Sequence, residues 1–186
     1  MSKLIDFRVA VLATDGFEES ELMEPVKALK DAGAQVTILS LKPGQIQAVR
    51  HDLDKTVKVK VDRAIRDVRA ADFDAVHLPG GTVNADRMRM EPAVQAFLRA
   101  MQDAGKPLAA ICHAPWELVS AGLVSGRTLT SYHTIQDDVR NAGGNWVDRE
   151  VVEDANWLTS RQPDDLPAFN RAMLGLFSRS LVPSGK

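Results

Sequence analysis

The sequence holds one cysteine, Cys112, among its 186 residues. That excludes an intrachain disulfide and points to a reducing, cytoplasmic setting. It lacks an excess of either charge: 23 Lys and Arg stand against 25 Asp and Glu. No net field therefore favours nucleic acid or an anionic membrane surface, and small molecules or other proteins are the expected partners. No apolar run approaches the roughly eighteen residues of a membrane span. The short run Val9–Ala13 is flanked by Arg8 and Asp15, so no signal peptide is expected. Repeats, low-complexity tracts and interdomain linkers are missing too. His51, His77 and His133 do not stand at metal-ligand spacing from an acid or from Cys112, so neither a metal nor another cofactor is expected. What is present is a 45% hydrophobic composition, enough at this length for one substantial core. A single soluble domain over residues 1–186 is the expectation.

Apolar runs without helical period at Phe7–Ala13, Val36–Leu41, Phe73–Leu78 and Leu108–Ile111 predict strands covered on both faces. Lys55–Val61 alternates Lys58 and Lys60 with Val57, Val59 and Val61, as an edge or hairpin strand does. Between the strands, Glu19–Ala32 sets Leu22, Met23, Val26 and Leu29 on one helical face and ends at Gly33. Glu91–Ala104 does the same with Val94, Phe97, Leu98 and Met101. Pro79-Gly80-Gly81 predicts a loop, His113–Ala121 a helix, and Thr128–Ser131, Val151–Glu153 and Trp157–Ser160 further strands. A final helix begins near Asp164 and Asp165 and turns Phe169, Met173, Leu176 and Phe177 inward. Strands alternating with helices imply an α/β sandwich, a mainly parallel central sheet with helices on both faces.

In such a sheet ligands bind beyond the carboxyl ends of the strands, and Ala110-Ile111-Cys112-His113 sets the thiol there, at a strand-to-helix turn. This resembles the geometry of a nucleophile elbow without its usual G-x-S-x-G spelling. A free thiol has a pKa of about 8.5, which a helix N-terminus can lower to roughly 3.5–7.5. A fall of two units is worth about 2.7 kcal/mol and would leave Cys112 mostly ionised. A lone cysteine is more commonly a small buried hydrophobe, and it is the position that favours chemistry here.

Ala109–Pro115, Leu78–Gly81 and Leu158–Asn170 together resemble the DJ-1/PfpI superfamily, on its PfpI side. The resemblance runs from Phe7 to about Phe177 and implies the flavodoxin-like three-layer sandwich shared with glutamine amidotransferases. It implies an acid beside the cysteine from the loop after the first strand, a place matched by Glu18, which is expected to be desolvated and partly protonated. Glu19 and Glu21 are given the ordinary role of acids near a helix start. His113 becomes the general base or acid, completed by an acid of a neighbouring subunit for which Asp86 is the match. The amides of Gly81 and His113 would bind an oxyanion, and Tyr132 would line the pocket. Ala114 and Trp116 stand where many PfpI-like sequences have Gly and Gln, so Trp116 would reshape the site or a partner surface. A late His-x-Glu pair is missing, which disfavours glutaminase activity.

The activity this implies is a cofactor-independent, cysteine-dependent stress hydrolase. It would act on reactive carbonyls such as methylglyoxal or on early glycation adducts, in a homo-oligomer, dimer or hexamer. An intracellular cysteine peptidase is the alternative within the family. An alternative of another class is a non-catalytic redox sensor or stress-protective binding protein, since a thiol with no resolving cysteine would stop at sulfenic or sulfinic acid.

Overall fold

The computed structural model describes residues 4–181; the expected domain's first three and last five residues lie outside them. In chain order the elements are β1 (Arg8–Leu12), β2 (Phe17–Glu18), α1 (Glu19–Asp31), β3 (Gln35–Ser40), β4 (Gly44–Arg50), β5 (Asp54–Val61), β6 (Arg63–Ala64), β7 (Ala75–Leu78) and α2 (Thr82–Met90). They continue with α3 (Pro92–Asp103), β8 (Leu108–Ile111), α4 (Pro115–Ser120), β9 (Thr128–Leu129), α5 (Gln136–Asn141), β10 (Asn145–Trp146), β11 (Val151–Asp154), β12 (Trp157–Ser160) and α6 (Leu166–Ser180). A seven-stranded sheet in the order β11-β12-β8-β7-β1-β3-β6 forms the centre. Its pairings are parallel except that of β11 with β12.

Burial explains why these strands show no helical period. Val9, Val11 and Ala13 face one core layer with α1 and α6, while Ala10 and Leu12 face the other with α2, α3, α4 and α5. Side chains alternate between faces, and both faces are covered, so Val9–Ala13 is apolar throughout. The two layers are the helices on both faces that the sequence predicts. Strand order reverses beside β1: the chain leaves toward β3 and β6, then returns on the other side as β7, β8 and β12. A crevice beyond the carboxyl ends of β1, β7 and β8 follows from that reversal.

Two elements differ from the expectation. The segment after Pro79-Gly80-Gly81 is not a loop but α2, whose buried face is made partly of Asn84; its side chain binds the amide of Thr14 and the carbonyls of Pro79 and Gly80. Lys55–Val61 does form a hairpin strand, and its partner is β4, which pairs in turn with β2 beside the crevice.

Glu117 of α4 is fully buried, and neither of its carboxyl oxygens has a hydrogen-bond partner among the described residues. Burial pushes its acid well above the usual carboxylate range, which favours the protonated form. The unfolded chain ionises there near pH 4.3 while the native state holds the proton, so the native state is penalised increasingly as pH rises above that value. Glu117→Met is therefore expected to raise Tm by several degrees at pH 7, with the ionisation share of the gain vanishing below pH 4. Paired melts at the two pH values check this.

Candidate active site

β8 ends at Ile111, and Cys112 turns the chain with φ of 63°, a left-handed conformation that costs a non-glycine residue roughly 1–2 kcal/mol. Three contacts hold the turn: the Cys112 amide donates to Ser160 O at 3.1 Å, the Tyr132 amide to Cys112 O at 2.8 Å, and the Ala114 amide to Ile111 O at 3.1 Å. Such strain at a crevice is the elbow expected for a presented nucleophile. Cys112 is 7% exposed, and it borders a cavity of about 200 Å³ with Glu18, Glu21, Gly81, His113 and Tyr132. The sulfur is buried yet opens onto that space.

The acid at the sulfur is Glu21, not Glu18. The Glu21 carboxyl faces Cys112 across Gly80; its Oε2 accepts the Gly80 amide at 2.9 Å, and its Oε1 has no hydrogen-bond partner among the described residues. It is completely buried, and burial pushes it up to about 8, helped by the charge of Glu18. Glu21 is thus a neutral acid at pH 7. Its backbone carbonyl lies 2.8 Å from Nε2 of His77, a ring that burial lowers to about 4 and keeps neutral within the core. Gly80 is required for this approach, because a Cβ there would lie 2.4 Å from Glu21 Oε2 and 2.6 Å from Cys112 Cβ. Glu18 does line the cavity and burial raises its pKa as expected, opposed by the nearby amides of His51 and Asp52 in the β4–β5 turn. Glu21 was legible in principle: it belongs to the same buried helical stripe as Leu22, Pro25, Val26 and Leu29.

The amides of Gly81 and His113 lie beside the Cys112 sulfur and lower its pKa. Burial acts the other way and more strongly, as does any charge on Glu21, so the thiol is pushed up. That direction is opposite to the lowering expected from the sequence. α4 begins only at Pro115 and is six residues long, so the sulfur sits off the helix end and gains little from its dipole. Raising the thiol in this way calls for a base beside it.

His113 supplies that base. Its Nδ1 lies 3.2 Å from the sulfur, and its ring stacks on Tyr132 with centroids 4.8 Å apart. Burial lowers its pKa, opposed by the charge of Asp52 and reinforced by His133. The Nε2 edge meets the hydroxyls of Thr82 at 3.4 Å and Thr134 at 3.3 Å. Trp116 packs beside the ring, centroids 5.5 Å apart, under the guanidinium of Arg89, and is not part of the cavity wall. Asp86 is exposed on α2 and is not part of the wall either. Within one chain the acid closest to this edge is instead Asp52, which binds Thr82 and was not singled out from the sequence.

The DJ-1/PfpI family profile matches residues 7–176. YraA of Bacillus subtilis, which carries a provisional cysteine-protease name, is 44% identical over 169 residues, covering 91% of this chain and 97% of its own. Protein/nucleic acid deglycase 2 of Escherichia coli is 42% identical over 177 residues, covering 91% of this chain and 96% of its own. Among solved structures, Drosophila melanogaster DJ-1beta superposes with a TM-score of 0.84 at 32% identity, over 94% of this chain and 91% of that one. No helix among the described residues is long and apolar enough to cross a membrane.

Proposed function

The chain belongs to the DJ-1/PfpI family, and from that premise we propose that it is a cofactor-independent cysteine hydrolase acting on small reactive carbonyls and on their early adducts with amines. The observation that carries this reading is a strained cysteine at the wall of a cavity of about 200 Å³, with a base at 3.2 Å and a neutral carboxyl at the sulfur. His113 Nδ1 takes the thiol proton as sulfur bonds to the aldehyde carbon, and the carbonyl oxygen takes up a proton to give a hemithioacetal. Moving a proton from that carbon to the neighbouring carbonyl carbon, through an enediol, gives a thioester. Water then releases a 2-hydroxy acid and restores the thiol, so methylglyoxal plus water becomes lactic acid with no external oxidant or reductant. An amine adduct enters the same path with the amine leaving. The Escherichia coli relative is named for adducts on both protein and nucleic acid. We extend the substrate class to both, although the chain's near-neutral charge argues against an extended nucleic-acid surface.

The size of the cavity favours this over peptide cleavage. The His51–Asp52 turn, Tyr132 and Pro163 line the space at the thiol, and its volume of about 200 Å³ matches a small carbonyl. The wall's charge narrows the substrate further: Glu18, Glu21 and Asp52 line it, and no Lys or Arg does so among the described residues. A carboxylate-bearing carbonyl would meet acids with no cation to pair it. Methylglyoxal is expected to be processed with kcat/KM at least about tenfold above that of 4,5-dioxovalerate, an α-oxoaldehyde that carries a carboxylate, a difference of about 1.4 kcal/mol, with no cleavage of a fluorogenic peptide. Peptide cleavage that outpaces carbonyl turnover would reverse the assignment. We place this activity in a reducing cytoplasm under carbonyl stress and in a homo-oligomer, where the exposed Asp86 is available to a neighbouring chain.

A further inference from the structure

We infer that Asp52, acting through the hydroxyl of Thr82, fixes the tautomer and orientation of His113, so that a single chain supplies the orienting acid. The inference rests on the proposed role of His113 as base for Cys112. Its logic is a count of protons. The Thr82 amide donates to Asp52 Oδ1 at 2.8 Å, and the Thr82 hydroxyl donates to Asp52 Oδ2 at 2.8 Å. A hydroxyl has one proton, so toward His113 Nε2, 3.4 Å away, Thr82 can present only lone pairs. The compatible neutral imidazole carries its proton on Nε2. That leaves the Nδ1 lone pair facing the sulfur at 3.2 Å, ready to take the thiol proton. Thr134, 3.3 Å from Nε2, can donate or accept and so decides nothing. Once His113 is protonated, the same path ends on a carboxylate, whose charge favours the imidazolium.

The backbone around Asp52 supports a purpose for its side chain. His51 and Asp52 have φ of 52° and 62°, and the Leu53 amide donates to Arg50 O at 3.2 Å, the pattern of a type I′ hairpin turn. Glycine is the preferred second residue of that turn; any side chain there costs free energy. The turn does not float, since β2 pairs with β4 just before it, and Glu18 lies beside its central amides. Strain is thus kept at the cavity rim, where Asp52 reaches the first residue of α2.

A purely structural role, capping α2, would account for the amide contact alone. Asp52→Asn separates the two, because its amide oxygen still accepts the Thr82 amide while its NH₂ donates to the hydroxyl and turns that proton toward Nε2. With ring-labelled histidine, the ¹⁵N shifts of His113 at neutral pH are expected to report protonated Nε2 in the native protein. A switch toward protonated Nδ1 is expected in Asp52→Asn, loss of the single tautomer in Thr82→Val, and its recovery in Thr82→Ser. For methylglyoxal kcat should fall about tenfold to a hundredfold in Asp52→Asn and Thr82→Val with KM little changed. Asp86→Asn should leave the tautomer as it is. An unchanged tautomer in folded Asp52→Asn and Thr82→Val overturns the inference, as does a switch produced by Asp86→Asn instead. The tautomer is read without substrate, so failure of the carbonyl reading would show separately, as absent turnover in a native protein whose His113 still holds its proton on Nε2.

Discussion

Cys112→Ala is expected to lower kcat/KM for methylglyoxal by at least about a thousandfold, with the fold intact. Each stage of the proposed reaction passes through a carbon–sulfur bond, and this sulfur is the chain's only thiol. The groups that remain, a neutral Glu21 and the His113 base, could still polarise a carbonyl or activate water, which sets the residual rate rather than replacing the nucleophile. Stability should hardly change, since alanine inherits the same left-handed backbone at φ of 63°. Cys112→Gly makes the companion case: it relieves that strain and should raise Tm, by an amount on the order of 1 kcal/mol offset by lost packing, while being equally inactive. Kinetics and melting curves on the two variants test this together. Activity surviving in either would remove the thiol from the mechanism.

Glu21→Gln should leave turnover at pH 7 within a few-fold of native, yet abolish a loss of activity that the native protein shows above pH 8. Below that pH native Glu21 is neutral, and glutamine keeps an acceptor for the Gly80 amide and a neutral group beside the sulfur. Above it, native Glu21 ionises, and its charge raises the thiol further and opposes the developing anion. Stability follows the same proton. The acid ionises near 4.3 in the unfolded chain and at about 8 in the native state. The native state is therefore unpenalised below about pH 4, increasingly penalised between the two values, and penalised by a constant amount above pH 8. At pH 7 the penalty is on the order of 3 kcal/mol, so the glutamine protein should melt higher at pH 7 and no higher at pH 4. Glu21→Ala, which removes the carboxyl from the sulfur and orphans the Gly80 amide, should lose about a hundredfold in kcat/KM at pH 7.

The parts of this architecture that announce themselves in sequence are those in which side-chain chemistry and burial agree. β8, and β1 from Val9 onward, are apolar at every position because both faces are covered, and α1 and α3 show a single apolar stripe because only one face is. The strand–Cys–His junction pointed to the elbow. α2 escaped notice because it buries an asparagine whose partners are backbone groups of the very loop it follows. β4 escaped because Gly44, Gln45 and Gln47 dilute its apolar alternation. Among the acids, Glu18 and Glu21 are told apart only by tertiary structure: one reaches across to a turn, the other down the helix stripe to the sulfur. Asp52 gave no signal at all, since a His-Asp turn lacks the glycine that usually marks a two-residue hairpin.

The claim on which the mechanism turns is that a carboxylic acid stays neutral at physiological pH beside the cysteine sulfur. Infrared difference spectra of native protein against Glu21→Gln, followed from pH 5 to 10, read that proton directly. A protonated-carboxyl band present at pH 7 and lost at about pH 8 is the expected result; a carboxylate already formed at pH 6 would contradict it.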